Sequence, residues 1–322
     1  MKKLYYLFCF TTILWSSSAT AQVPGDIPLV NDLKSIADDF ASPAANSIAY
    51  QANGGWFSSA QTLDRWKFEI SLHANALIVP DSRKTFTTGS YETLSIQGGA
   101  RNAIVPTAFG SSSEVFFEGE IAGTEIEPFQ AIEGVDKSFV AHPFAQVTVG
   151  LPYETEFAVR AMPKLTVNDV QVSTYGAGIK HNFSQYFRFN EPDDFQFAAF
   201  AAYSIFDIEY AFEPVDLAEF AQLNAIDVDA DVWTAELLGS KRYENFEIFG
   251  ALGVASSNFS YMMQGSKFGL NTINEALEDL GDSEAQFKGD VGFNVYFNDF
   301  KVSTMATAGK FFNLNIGLHF RI

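Results

Sequence analysis

The chain ends in Phe311-Phe312-Asn313-Leu314-Asn315-Ile316-Gly317-Leu318-His319-Phe320-Arg321-Ile322. The even positions Phe312, Leu314, Ile316, Leu318, Phe320 and Ile322 are all apolar. The odd positions from 313 on are Asn313, Asn315, Gly317, His319 and Arg321. Side chains alternate across a strand, so this segment sets one face in oil and the other in water. A bilayer-crossing strand needs about 9–11 residues. The stretch therefore reads as the closing strand of an outer-membrane β-barrel.

The opposite end of the chain supports that placement. Lys2 and Lys3, the apolar run Leu4 to Leu14 and the small-residue site Ala19-Thr20-Ala21 have the order of an export signal, with the mature chain starting at Gln22. The run is too short to span a membrane as a helix. Cys9, inside it, is the one cysteine of the sequence, so the mature chain would hold no thiol and no disulfide. The longest later apolar stretch, Phe195 to Phe212, is interrupted by Gln196, Ser204, Asp207 and Glu209. Barrels escape a hydropathy scan because every second residue is polar, which fits a mean hydropathy of +0.02.

With 39 Asp plus Glu against 20 Lys plus Arg, the formal charge is −19. Such a chain is a poor partner for nucleic acid, whose phosphates need neutralising. The acids gather between candidate strands, at 114–136, 191–194, 213–231 and 275–284, and read as solvated loops.

Working back from the terminus, alternation recurs in Trp66 to Ile78, Ser138 to Leu151, Phe157 to Leu165, Val170 to Phe183, Phe195 to Tyr210, Asp231 to Arg242, Asn245 to Ser257, Gln286 to Phe297 and Phe300 to Ala308. Weaker strands lie near Tyr91 to Gln97 and Ser112 to Gly119. The expected fold is all-β, a transmembrane antiparallel barrel of about 12 strands, with 10–14 also compatible. Short turns at Pro152-Tyr153, Tyr243-Glu244 and Asn298-Asp299 would face the periplasm. The acidic segments 120–137, 211–230 and 258–285 would form outer loops. Aromatics at Tyr186, Phe187, Phe189, Tyr296, Phe297, Phe300, Phe311 and Phe312 suit interface girdles.

Residues 27–51 are different. Val30, Leu33, Ile36, Ala37 and Phe40 fall on one helical face, Pro43 would end that helix, and Ala45, Ile48 and Ala49 suggest a short second one. The division is then a signal peptide at 1–21, a helical segment at 22–60 and a barrel at 61–322. The segment either plugs the barrel, through Val30, Leu33, Ile36 and Phe40, or rests on its periplasmic rim.

Asn53-Gly54-Gly55-Trp56-Phe57, Val147 to Pro152 (VTVGLP), Arg160 before Met162-Pro163, and Tyr175 to His181 (YGAGIKH) together resemble an uncharacterised family of outer-membrane barrels from Bacteroidota, catalogued as a domain of unknown function. It is distantly similar to the long-chain fatty acid transporter family, through an N-terminal helical segment and a Gly-rich barrel strand. That resemblance implies a channel with an N-terminal plug and an apolar ligand path, and no binding motif transfers residue by residue.

In a barrel the polar strand faces line the interior, which makes Lys67, Glu69, His73, His142, Glu156, Arg160, Lys180, Lys288, Asp290, His319 and Arg321 the lumen-facing candidates. Cross-strand ion pairs that stiffen the wall are the favoured role, solute selection the alternative. His73, His142 and His319 sit on separate strands without metal-ligand spacing. Asp227, Asp229 and Asp231 are weak surface candidates for calcium in an outer loop. Ser71, His73 and Asn75 suggest a hydrolase, although the repeat of about 6.5–7 Å along a strand argues against a direct Ser71–His73 bond. The reading that follows is a non-enzymatic, cofactor-free barrel in the outer membrane of a Gram-negative bacterium, passing small or hydrophobic solutes. A sealed structural or surface-interaction barrel is the alternative. Partners would be outer-membrane lipid, a small hydrophobic solute and the barrel-assembly machinery through the C-terminal strand.

Overall fold

The computed structural model describes residues 28–121, 123–167, 170–187, 194–281 and 284–322. The export-signal reading and Phe189 lie outside these residues. Helix α1 (Pro28–Ala52) comes first, followed by an irregular stretch and β1 (Phe68–Ile78). Five short strands follow: β2 (Thr85–Thr87), β3 (Leu94–Ile96), β4 (Ile104–Pro106), β5 (Phe116–Ile121) and β6 (Thr124–Gln130). Then come β7 (Phe139–Leu151), β8 (Thr155–Val167), β9 (Val170–Asn182), β10 (Phe195–Leu217), β11 (Ala221–Tyr243) and β12 (Phe246–Ser266). Helix α2 (Leu270–Leu277), β13 (Glu284–Phe297), β14 (Phe300–Ala308) and β15 (Phe312–Arg321) complete the chain.

Ten of these strands, β1 and β7 to β15, close an antiparallel barrel. The closure is the pairing of β1 with β15, from Glu69 opposite Arg321 to Ile78 opposite Phe312. The segments near Tyr91 to Gln97 and Ser112 to Gly119 do not enter the wall. They are β3 and β5, which join β6 in a three-stranded sheet; with the two-stranded sheet β2-β4 it lies inside the single connection between β1 and β7. That accounts for the lower strand count.

Alternation works as the C-terminal strand requires. In β1, Phe68, Ile70 and Leu72 are exposed outward while Glu69, Ser71, His73 and Asn75 are buried inward. Tight connections at one end carry left-handed residues at Tyr153, Glu154, Glu244 and Asn298. Tyr186, Phe187, Phe297, Phe300 and Phe312 are exposed or nearly so, as a girdle needs, but Tyr296 and Phe311 turn inward and are buried.

β10 and β11 have 23 residues each and β12 has 21, about twice what a bilayer requires. The acidic segment 211–230 is thus not a loop: β10 and β11 run to Leu217 and restart at Ala221. Along these strands the two faces exchange chemistry. Phe197, Tyr203, Ile205, Trp233 and Leu237 point outward in the lower part. Farther from the short turns the outward positions become Glu209, Asp227, Asp229 and Asp231, and the inward ones Phe206, Ile208, Ile226, Val228, Phe259, Tyr261 and Met263. Water outside and an apolar filling inside are the arrangement of a soluble domain, so this part projects beyond the hydrocarbon.

The filling is α1. Leu29, Val30, Leu33, Ala37, Phe40 and Ala41 share one core with Phe206, Val215, Leu217 and Ile226 of the extended strands and Ile273 and Leu277 of α2. Full burial of each large apolar side chain contributes about 1.5–3 kcal/mol. α1 continues through Pro43 as one helix of 25 residues. Tertiary packing on both sides of Pro43 outweighs the lost N–H bond, and the Ser47 hydroxyl donates to the Pro43 carbonyl at 2.7 Å. The buried Asp32 carboxylate accepts three backbone N–H bonds from Glu92, Thr93 and Leu94, at 2.7–3.0 Å, which ties the β1–β7 insertion to the helix. Among the described residues no helix is long and apolar enough to cross a membrane.

Candidate functional site

The helix is not on the short-turn rim: it lies inside the far, apolar end of the barrel, and only its last turn reaches the polar lumen. Val30, Leu33 and Phe40 are buried and Ile36 half-buried at the far end, where they close the extended strands. The lumen is filled instead by the stretch that follows, from Asn53 to Leu63, which descends to β1 at the short-turn end. Gly54 and Gly55 let the chain pass Asn313 and Asn315. A Cβ at either glycine would come within 2.6 Å of an asparagine side chain, and Gly55 has φ +76°.

Because this stretch forms no regular structure, its backbone groups need partners from the wall. At least six of the ten wall strands supply one: β1, β7, β8, β9, β11 and β13. Asn75 Nδ2 donates to the Gly54 carbonyl (3.4 Å) as well as to that of Gln51 at the end of α1 (2.9 Å), Gln146 Nε2 to Trp56 (3.2 Å), Arg160 Nη1 to Gly54 (3.0 Å) and Lys288 Nζ to Asn53 (2.9 Å). Lys180 Nζ reaches the Ser59 and Gln61 carbonyls at 2.8 and 2.7 Å, and Asn182 reaches Ala60 at 3.0 Å. In return the Glu156 carboxylate accepts from Leu63 N–H, and Glu247 from the Ser59 hydroxyl. Trp56 lies under the Arg160 guanidinium, 3.6 Å from its ring centre. A Cβ on Gly176 would come within 3.0 Å of Trp56, so this glycine of the YGAGIKH strand makes room for the filling.

The charged candidates pair with one another. Lys288 lies 2.7 Å from Glu236 and 3.2 Å from Asp290. Lys180 meets Glu156 at 2.7 Å. Glu69 gathers Lys301 (3.1 Å), His319 (2.7 Å) and Arg321 (2.9 Å). Buried charges survive only when paired and hydrogen-bonded, and these are. Lys67 and Arg160 depart from the set: Arg160 is held by the Gly54 carbonyl, the Ser204 hydroxyl and the Trp56 ring in place of a carboxylate, and Lys67 is exposed at the rim of a polar mouth of about 530 Å³ at the short-turn end. Beneath Trp56, beside Glu69, His73 and Lys180, the lumen keeps a void of only about 30 Å³.

His73 Nε2 lies 2.9 Å from Ser71 Oγ, contrary to the spacing argument, and Nδ1 is 3.3 Å from Asn315 Oδ1. The ring tilts along the strand, stacks on Phe144 at 4.7 Å, and so closes the gap between alternate positions. Ser71 and His73 are both buried, and the 30 Å³ void has no room for an acyl group. Asp227, Asp229 and Asp231 lie on the outward face of β11 rather than in a loop. Asp227 accepts from Gln264 and Asp231 from Tyr203. Among the described residues no group of three or more His, Cys, Asp or Glu is arranged to hold a metal ion.

An apolar cavity of about 480 Å³ lies in the wall between β7, β8 and the second half of α1. Ala44, Ile48, Val140, Met162, Leu165, Val172 and Ile208 line it. Lipid-facing Phe139, Ala141 and Pro143 line it too, so it reaches through the wall. The reason lies in the pairing. β7 and β8 are joined from Leu151–Thr155 only up to Ala145–Ala161. The next outward-facing step in the same register would place Pro143 opposite Pro163, and neither has an N–H to give the ladder. Beyond that point β7 stays with β1, and β8 stays with β9 through a register shift between Met162 and Leu165.

With this geometry in view, the whole sequence, residues 1–322, matches the family model described as "Family of unknown function (DUF6588)". The chain belongs to that family. No curated protein matches it. Solved structures similar to this DUF6588 chain include the translocator domain of the autotransporter NalP from Neisseria meningitidis, at 8% identity and TM-score 0.36, covering 90% of this chain and 98% of that one. Ail, the attachment invasion locus protein of Yersinia pestis, has 9% identity and TM-score 0.27, covering 80% and 100%. A Pseudomonas aeruginosa FadL homologue has 11% identity and TM-score 0.28, covering 76% and 61%.

Sequence reasoning found the inward charges but missed the wall cavity and the strand-free lumen filling. One signal for the cavity was present. Pro143 and Pro163 are equally far from Tyr153, so a hairpin centred on that residue sets them face to face.

Proposed function

We propose that this outer-membrane barrel takes a small hydrophobic solute into the wall cavity, and that its axial lumen is not the path. Orientation follows the usual asymmetry of such barrels, with the short turns in the periplasm. The cavity and the α1 cap then face outward, and the mouth beside Lys67 faces the periplasm. The observation that carries the reading is the 480 Å³ apolar cavity open at the unpaired β7–β8 seam, set above a lumen whose filling is bonded to at least six of the ten wall strands. Its volume lies in the range of small-molecule sites. Uptake is passive and uses no cofactor or catalysis; a fluorophosphonate probe is expected to leave Ser71 unlabelled.

The test is binding of the fluorescent apolar probe N-phenylnaphthylamine to purified, detergent-solubilised protein. Saturable binding is expected, weakened by Ile48→Trp and Ile208→Trp, which fill the cavity. Absence of saturable binding overturns the reading. The bonded filling of the lumen favours a second reading, a sealed barrel whose 79–138 insertion meets a surface partner. A protein crosslinked to that insertion, with no probe bound, would select it.

A further inference from the structure

The far rim of the wall is not evenly charged. β7, β1 and β15 are neighbours in the barrel, and at their far ends Ile78 pairs with both Phe139 and Phe312. All three side chains are exposed on the lipid face. Just beyond them the chain carries Arg83 and Lys84 after β1, Lys137 before β7 and Lys310 before β15. Contacts between these segments hold the cations on one rim. Lys84 Nζ donates at 2.9 Å to the hydroxyl of Ser138, the residue between Lys137 and Phe139. The Arg83 guanidinium lies 5.6 Å from the ring centre of Phe311, the residue between Lys310 and Phe312. The turn at 107–109 joins the two sides: Thr107 N–H donates to the Lys84 carbonyl at 3.0 Å, and Lys137 N–H to the Phe109 carbonyl at 3.3 Å. Asp81 pairs with Lys84 at 3.1 Å, and Asp136 precedes Lys137. Among the described residues Arg83 and Lys137 have no carboxylate partner.

Across the barrel the sign reverses. In the ten-strand ring β11 stands five places from β1, and its outward residues beyond the hydrocarbon are Asp227, Asp229 and Asp231. A chain of formal charge −19 thus gathers cations over one short arc of its lipid boundary. At that level a bilayer presents headgroups, whose characteristic anion is phosphate. Arg and Lys hold phosphate through charge-assisted hydrogen bonds, and their long stems reach a headgroup from a rim while covering apolar surface. We propose that this arc binds a phosphorylated lipid of the outer leaflet. Its phosphate meets Arg83 and Lys137, flanked by Lys84 and Lys310, and its chains lie along Ile78, Phe139 and Phe312. The proposal rests on the orientation given above, short turns in the periplasm, and does not require the wall cavity to hold a solute.

The experiment titrates the full-length protein, in a neutral maltoside detergent, with diphosphorylated lipid A and with the same lipid stripped of its phosphates. Native mass spectrometry counts the bound lipid. The wild type is expected to bind the phosphorylated form about tenfold or more tightly, the fold-change of two cations beside a lipid anion. Added salt should narrow the difference. Arg83→Gln with Lys137→Gln should bring the two lipids within about twofold. Equal binding of both lipids by the wild type, a result that needs no variant to fold, overturns the proposal and leaves the wall-cavity reading standing. A preference that persists in the double variant overturns the placement on this rim. Inorganic phosphate in large excess should fail to compete; full competition would assign the site to free phosphate and overturn the lipid. A membrane-impermeant maleimide should label Ser112→Cys in intact cells. Labelling only after lysis would reverse the orientation and overturn the outer-leaflet assignment.

Discussion

The Arg160 guanidinium lies 3.6 Å above the Trp56 ring and donates from Nη1 to the Gly54 carbonyl, so one wall side chain grips the lumen filling twice. Its Nη2 reaches Ser204 on β10 at 3.3 Å, which ties the contact to the next part of the wall. The cation is buried, and stacking on an aromatic face offsets part of its lost hydration.

Removing that grip should loosen the filling before it loosens the barrel. Trp56→Ala is expected to cost about 3–5 kcal/mol, the range for a buried aromatic cut to alanine. Planar-bilayer recordings should show the wild type nearly silent, Trp56→Ala and Arg160→Ala flickering, and deletion of residues 22–60 most conductive. A deletion variant as silent as wild type, yet folded, would mean that residues 53–63 do not seal the lumen.

The seam yields a prediction of opposite sign. Pro143→Thr with Pro163→Thr restores two N–H donors where pairing stops. The ladder between β7 and β8 should lengthen, thermal stability should rise, and probe uptake into the wall cavity should fall. Unchanged uptake alongside a raised Tm would show that the ligand arrives by another route.

Lys288 holds Glu236 and Asp290 at the centre of the wall. Lys288→Met leaves two buried carboxylates without their cation and breaks the bond to the Asn53 carbonyl. A loss of about 3–5 kcal/mol is expected from the first effect. Urea unfolding followed by tryptophan fluorescence measures it.

On α1, outside the spanning part of the wall, burial first and then Asp38 raise the pKa of the Asp39 carboxyl above its ordinary value. The folded state therefore binds this proton more tightly than the unfolded chain does. Ionisation of Asp39 costs stability as pH rises from the unfolded pKa through the folded one, and below both the cost vanishes. Asp39→Asn should raise Tm at pH 7 and give no gain at pH 3. Equal gains at both pH values would assign the effect to something other than charge.

Much of the wall was legible because a two-residue period is a local property. Phe312 to Ile322 alone states which face meets lipid, and the same rule turned Glu69, His73, Lys288 and His319 inward. It misjudged places where locality fails. Tyr91 to Gln97 alternates as a wall strand does, but alternation does not say which sheet a strand joins. Asp227 to Asp231 read as loop because acid is rare on a lipid face. The strand in fact leaves the hydrocarbon and continues, its outward face now in water. Pro43 reads as a helix end because propensity counts the lost bond and not the core on either side of it.

By itself the sequence determined the barrel, its inward charges and an amphipathic helix before it, since each follows from the spacing of apolar and polar residues along one segment. Only the tertiary structure decided that the helix caps the far end while Asn53 to Leu63 fill the lumen. It alone also decided that Ser71 reaches His73, and that Pro143 and Pro163 open the wall beside Gln51 and His142. These depend on which distant residues meet, and a pattern within one strand carries no information about its partner across the barrel.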